Sequence, residues 1–570
     1  MTMRDSFSHK ALRTEAVPPV RRRPRRGLAV LGAALSLGLA SCSAVGPAGQ
    51  GQAGTAGATS AGGNEDVFGE PASPDQVKQG GTLVMALSAE PDQLDPTLSR
   101  SLYSRYIFSA MCEKLYDVDE SAKVVPQLAT ALPTISQDGK TVTIPVRSGA
   151  KFADGSPFNA QAVKATFDRN LTLKGSGRKS ELGPITNVEA KDDTTVVVTL
   201  SKPFAPLTAA LTDRAGMIVS PQAAQALGDK FGTAPVCVGP FKFSNRVPQN
   251  SIDLVRDPNY YDASKVHLDK LSYRIITDAS IRAANLRSGD AAVADSLSAQ
   301  DVPAVRQEKS LQVLQSESLG YQGVTFNVGN VDGVGKPAKP IDRPEAKDPR
   351  IRQAFEYAVD RAGLVKVIFN DLNTVACSPI SPKSEFSTDA VQACTPHDPA
   401  KAQALLKEAG VTTPFPIEMI TANNPDSLRL AQALQAMVKE GGIDIKIKPV
   451  EYASLLDQQD RGEFSLLQLG WSGRIDPDAN ITNFVGTGGS QNVAGYNNKE
   501  VDALLDQARQ ALSLNERKDL YAQVVAKLHQ DDPLIYLYRQ RNLTGVSNSV
   551  KGVQVFPDGV IRVAFAGMAK

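Results

Sequence analysis

Between residues 348 and 471 the sequence alternates helix signals with strand signals, and this alternation constrains the fold more than any other feature of the chain. Asp348 and Pro349 open a helix with Ile351, Phe355 and Val359 on one face, the aspartate placed to cap it and the proline suited to its first turn. Asp398 and Pro399 repeat the device before KAQALLKEAG, where Gly410 stands at the natural stop. A strand (FPIEMIT), a helix over 427–440, a strand (IDIKIKPV) and a helix from Ala453 follow, then the apolar run that opens LLQLGWSGRIDPDANI. Strands joined by helices pair through crossovers, which predicts an α/β fold with a mostly parallel, helix-covered sheet.

LLQLGWSGRIDPDANI, residues 466–481, is also the first place to look for a site. It holds the chain's only tryptophan, and its apolar run breaks at Gly470 into a loop carrying Trp471, Ser472, Gly473, Arg474, Asp476 and Asp478. A buried strand that ends in such a loop delivers side chains into a cleft, because recognition sits on loops held by a rigid sheet. Two hairpin signals, Asp138-Gly139 and Asp192-Asp193, flank a helix that Asn159 caps and that turns Val163 and Phe167 inward. They predict a small β-rich subdomain over residues 117–225.

Composition excludes several function classes. The chain has 570 residues, 42% hydrophobic and 22% charged, ordinary for a globular protein of two or three domains. Residues 1–41 hold eight bases and two acids, so without them the formal net charge of +1 becomes −5, and a nucleic-acid partner is excluded. No Gly-x-Ser-x-Gly, His-Glu-x-x-His or Gly-x-Gly-x-x-Gly occurs, and Gly333-Val334-Gly335-Lys336 lacks the spacing of a phosphate-binding loop. The chain is therefore expected to be no enzyme and to need no cofactor. Asp476 and Asp478, the one carboxylate pair that invites acid/base chemistry, sit beside Pro477 in a turn and read as caps.

Arginines followed by the apolar segment GLAVLGAALSLGLA form a secretion signal too short to span a bilayer. The tetrad Leu39-Ala40-Ser41-Cys42 looks like a lipobox, which makes Cys42 the lipid attachment point and ties the body to a membrane without a spanning helix. Residues 42–79, rich in Gly, Ala, Ser, Pro and Gln, read as a flexible tether. Four cysteines remain, and an even number in an exported chain favours disulfides, with four buried free thiols as the alternative. Cys377 and Cys394 enclose a polar loop that a bridge would stabilise, and Cys112 with Cys237 follows by elimination. No Cys-x-x-Cys exists and only His267, His397 and His529 lie beyond the signal, so no metal site is expected.

GGTLVMALSAEPDQLDP, QDGKTVTIPVRSGAKFADGSPFNAQAVKATFDR, VCVGPFKF, GYQGVTFNV, DPRIRQAF and LGWSGRIDPD, in that order and spacing, resemble the family-5 extracellular solute-binding proteins, the oligopeptide, dipeptide and nickel receptors of ABC importers. The resemblance covers roughly residues 80–565. It implies a two-lobed fold like that of periplasmic binding proteins (type II, cluster C), with residues 80–116 and 226–322 in the first lobe, 117–225 inserted in it, 323–538 forming the second lobe and 539–570 returning to the first. It implies capture of peptides, or of a non-peptide organic solute with an anionic group, by a monomeric receptor at the outer face of the cell membrane or in the periplasm. The partners implied are permease transmembrane subunits and their ATPase subunits. It also implies that Arg100, Ser101 and Leu102, after the LDP turn, line the ligand cavity together with Trp471, Ser472, Gly473, Arg474 and Asp476.

The sequence departs from the family at Gln161, where an acid is usual, at Cys237, where glycine is usual, and at Arg474. Peptide-binding relatives place near Arg474 an aspartate that holds the ligand's ammonium. A guanidinium repels an ammonium and suits a carboxylate, so Arg474 is expected to contact an anionic or carbonyl group, with Asp476 a stand-in for the lost carboxylate.

Overall fold

The computed structural model describes residues 65–570. Two sheets organise them, one in each of two lobes. In the first lobe seven strands lie in the order Leu311–Glu317, Arg541–Ser547, Val293–Ala294, Thr82–Leu87, Lys270–Ile275, Ser251–Arg256, Phe241–Val247. In the second, six lie in the order Thr374–Val375, Leu534–Arg539, Tyr321–Phe326, Leu466–Trp471, Phe415–Ala422, Ile443–Val450.

Helix-linked strands pair as the alternation predicts: Phe415–Ala422 runs parallel to both Ile443–Val450 and Leu466–Trp471. The sheets as wholes are mixed, which corrects the expectation of a mostly parallel sheet. Tyr321–Phe326 arrives from the other lobe and runs antiparallel to both of its neighbours. Direct entry from another sheet needs no crossover helix, so nothing imposes the parallel sense.

The chain passes from the first sheet to the second through residues 318–320 and returns through Gln540. These crossings are bonded to each other, Ser318 N donating to Gln540 O at 3.0 Å. Gly320 is required here: a Cβ would stand 1.8 Å from the Trp471 carbonyl oxygen. The capping aspartates act as their spacing suggests, Asp348 accepting from Arg350 N and Asp398 from Lys401 N. The subdomain within the first lobe is a four-stranded antiparallel sheet, with the Asn159-capped helix Ala160–Thr172 packing Val163 and Phe167 into a core of its own.

The signal, Cys42 and most of the tether lie outside the described residues. The tether reading extends too far: Val67 bridges to Gln315, Val77–Lys78 pairs with Gly567–Ala569, and Asp66 binds Arg541 at 2.9 Å and accepts from Glu317 N at 2.9 Å. Asp66, through these bonds, and Phe68, edge-on to Phe556 at 6.3 Å, are anchors of a kind that the Gly/Ala-rich sequence before them does not offer. Among the described residues no helix is long and apolar enough to cross a membrane.

Both disulfides form, Cys112 with Cys237 and Cys377 with Cys394. The second closes a short loop beside the second lobe's edge strand. Replacing Cys377 and Cys394 together by serine should lower unfolding free energy by ~3 kcal/mol, read from denaturant unfolding of wild type and the double variant, each fitted with its own slope because the broken crosslink loosens the unfolded chain.

Candidate functional site

A cavity of about 260 Å3 opens between the lobes, with walls from both. From the first lobe come Arg100 and Leu102, placed by the turn after Asp95. That turn is rigid: Asp95 accepts from Thr97 N at 3.0 Å and from Ser99 N through its carbonyl, while Arg169 grips its carboxylate at 2.9 and 2.6 Å. Ser101 then caps the helix Leu102–Met111, accepting from Tyr103 N at 3.0 Å, and is buried behind the wall. Arg100 reaches across the seam to pair with Asp460 of the second lobe.

From the second lobe the strand Leu466–Trp471 presents Trp471 and Ser472. Trp471 is nearly buried, its indole N–H donating to Asn480 Oδ1 at 3.0 Å and its ring edge-on to Phe484 at 5.0 Å. Gly473, with φ +83°, packs against the crossing between the lobes so closely that a Cβ would lie 2.2 Å from Gly320 N. Arg474 does not line the cavity. It stacks on Trp471, 4.2 Å from the ring centre, and pairs with Asp213 of the first lobe. Asp476 also lies away from the cavity, capping the helix Pro477–Val485 and taking both nitrogens of Arg517 at 2.9 and 2.8 Å. Asp478 is gripped in the same way by Arg509. Of the eight expected residues, Arg100, Leu102, Trp471 and Ser472 meet around the cavity, and Ser101, Gly473, Arg474 and Asp476 hold the elements that carry them.

The cavity wall is rich in side-chain amides: Gln322, Asn373, Asn424, Gln468, Gln540 and Asn542. Gln468 donates through Nε2 to Ser427 O at 3.3 Å, and its Oε1 is buried without a hydrogen-bond partner. A buried acceptor with no partner is rare enough to mark a ligand position. These amides escaped sequence reasoning because they are scattered over 220 residues in no common motif; only Gln468, a polar residue inside a buried apolar run, carried a signal. Beside this wall a smaller apolar cavity of about 60 Å3 is bounded by Trp471, Phe484 and Tyr321.

Two carboxylates behind the walls have opposite environments. Burial works against the charge of Asp213, but the guanidiniums of Arg105, Arg474, Arg214 and Arg178 outweigh it and hold the carboxyl well below the usual range. Asp295, which accepts from the wall residue Ser88 at 2.8 Å and faces Arg282 at 3.4 Å, is pushed up to about 6 by burial, against the opposing pull of Arg282 and Ser88.

Residues 123–492 match the family described as bacterial extracellular solute-binding proteins, family 5 Middle, about two thirds of the chain. The chain belongs to that family. As a family-5 solute-binding protein it is similar to the glutathione-binding protein GsiB of Pectobacterium atrosepticum, 29% identical over 490 residues that cover 83% of this chain and 92% of the relative. Among solved structures it is similar to the periplasmic binding protein AgaA of A. tumefaciens R10 in complex with agropinic acid, with 27% identity, TM-score 0.76, and coverage of 85% of this chain and 96% of the other. It is likewise similar to the ABC transporter-associated periplasmic binding protein DppA of Helicobacter pylori in complex with the peptide STSA, with 25% identity, TM-score 0.77, and coverage of 86% and 99%. The two-lobed α/β architecture of family-5 proteins is therefore the fold of this chain.

The raised Asp295 gives a testable pH dependence. Its folded pKa lies above its unfolded value, so the folded state binds the proton more tightly and its contribution to stability falls as pH rises from about 4 to above 6. Across that window wild type should lose ~3 kcal/mol relative to Asp295→Asn, measured by denaturant unfolding of both proteins at pH 4 and pH 7. Parallel pH profiles would refute the raised pKa.

Proposed function

We propose that this family-5 protein is the lipid-anchored receptor of an ABC importer, capturing short peptides between its lobes and presenting them to permease subunits driven by ATPase subunits. The carrying observation is the amide-lined cavity between the lobes. A side-chain amide both donates and accepts, which matches the peptide group, and the unpartnered Gln468 Oε1 suits a ligand N–H. Arg100, Leu102, Trp471 and Ser472 supply contacts from both sides, and the small apolar cavity beside Trp471 takes a ligand side chain.

A ligand that touches both lobes binds the closed form more tightly than the open one, and this difference alone drives closure. Closure hides the ligand and changes the surface shown to the permease. The relatives support the ligand class: GsiB is a glutathione-binding protein, and DppA of H. pylori was solved with a four-residue peptide. A second reading, capture of a small organic acid, is favoured by the similarity to AgaA with agropinic acid. On either reading Cys42 carries the lipid.

Protein expressed with Cys42→Ser should be recovered without a membrane fraction, whereas wild type should sediment with membranes. Calorimetric titration of this soluble form should show one-to-one binding of a di- or tripeptide with no product by mass spectrometry, and Trp471→Ala should weaken it at least tenfold, about 1.4 kcal/mol. Saturable binding of organic acids but of no peptide would replace the first reading with the second.

A further inference from the structure

The seam between the lobes holds more than the ligand cavity. A second chamber of about 290 Å3 is bounded by Lys202 and Phe204 of the first lobe and by Asn483, Gly486 and Arg509 of the second. Between the two lies a gap of only about 20 Å3, lined by Asp213, Trp471, Arg474 and Asn483. Trp471 belongs to the walls of both the ligand cavity and the gap, and Asn483 to the walls of both the gap and the second chamber. The gap therefore adjoins both larger spaces through these two side chains, and the ion pair of Arg474 with Asp213 lines the gap.

We infer that this ion pair is a partition that sets the length of the ligand, confining it to peptides of two or three residues. The inference rests on the peptide reading above. The first cavity, at about 260 Å3, lies at or below the small end of ligand pockets, which run from about 300 to 1,000 Å3. Between it and the second chamber stand Trp471 and, stacked on it, Arg474 with its partner Asp213; without that packing the two spaces would add to a groove of about twice the size.

The partition is built to stay shut. Arg474 stacks on Trp471, donates through Nη1 to Gly473 O at 2.6 Å, and has its backbone clipped by Asn480, whose side chain accepts from Arg474 N and donates to Arg474 O, both at 2.8 Å. Asp213 is fixed from behind by Arg105 at 3.2 Å and by Arg214 N at 2.7 Å. Swinging Arg474 aside would leave a buried guanidinium unpaired, so a longer ligand cannot displace it cheaply. Specificity by a repulsive or blocking element of this kind discriminates against long ligands without any contact to short ones.

A second, independent observation marks these spaces as a binding groove rather than a packing fault. Asn483 belongs to the walls of both the gap and the second chamber, is 3% exposed, and its buried Oδ1 has no hydrogen-bond partner. It matches Gln468 Oε1 in the first cavity: each is a dry carbonyl oxygen suited to an N–H of an extended backbone.

The test offers the full-length body, expressed with Cys42→Ser, a randomised pool of peptides two to eight residues long, and weighs the retained species by native mass spectrometry. Wild type should retain peptides of two and three residues. Arg474→Ala, in which Asp213 still keeps Arg105, should raise the ratio of five-residue and longer peptides to tripeptides at least tenfold. Lys383→Ala removes a different ion pair, with Asp66, that borders none of the three spaces, and should keep the wild-type distribution. Retention of long peptides by wild type, an unchanged distribution in Arg474→Ala, or equal lengthening in Lys383→Ala would each overturn the partition while leaving the peptide reading in place. Retention of no peptide by any of the three overturns both. If Arg474→Ala does not fold, the wild-type distribution decides alone: short peptides support the partition, and peptides longer than four residues overturn it.

Discussion

The structure depends on the place where the chain changes sheets. Its two crossings, at residues 318–320 and at Gln540, lie side by side and are hydrogen-bonded to each other. Arg539, fully buried at the end of one of them, donates to Gly320 O at 2.7 Å and Ser378 O at 2.8 Å and so ties both crossings to the second lobe. A buried guanidinium demands acceptors for its fork of donors, and backbone carbonyls at a crossing are free to supply them. The loop after Trp471 packs directly on this point, Gly473 and Gly320 approaching within limits that no side chain tolerates. The residues that face the cavity are therefore continuous in packing with the two crossings, which is the connection a receptor needs if a bound solute is to change the angle between its lobes.

Charge is distributed over the seam with a division of labour. Arg100 with Asp460, Lys202 with Asp506 and Arg474 with Asp213 join the lobes. Arg517 with Asp476 and Arg509 with Asp478 stay within the second lobe and hold the loop that carries Arg474. A buried pair contributes little net stability but fixes geometry, since breaking it strands a charge out of water. That is why two aspartates close in sequence to Arg474 are not its partners: each is already held by its own arginine, and the carboxylate that Arg474 finds comes from 261 positions earlier in the chain.

Much of the fold was legible in the sequence because it is written in local rules. Asp348, Asn159 and Asp398 cap the helices whose starts they mark, and the hairpins at Asp138 and Asp192 form where turn residues interrupt alternating strands. The stretch LLQLGW ends at a cavity wall, as a buried strand broken by Gly-Trp-Ser suggests. The candidate site was half legible. Trp471 and Ser472 end a recognisable broken strand, and Arg100 and Leu102 came through the family resemblance, whereas Asp213, Asn373, Asn483 and Asn542 lie in unremarkable surroundings and matter only through what folding sets opposite them.

The sequence by itself determined which segments become helices and strands, where they stop, and that they form an α/β body, because capping, periodicity and turn chemistry act over a few residues. It also determined that the cysteines come in an even set beyond Cys42. Only the tertiary structure decided the antiparallel entry of Tyr321–Phe326, the docking of Asp66 against Arg541, and the pairing of Arg474 with Asp213 across the lobes. Each of these depends on which groups are left without a partner once the local elements have formed, and a buried charge or backbone group must then find its complement wherever the packed lobes bring one within reach.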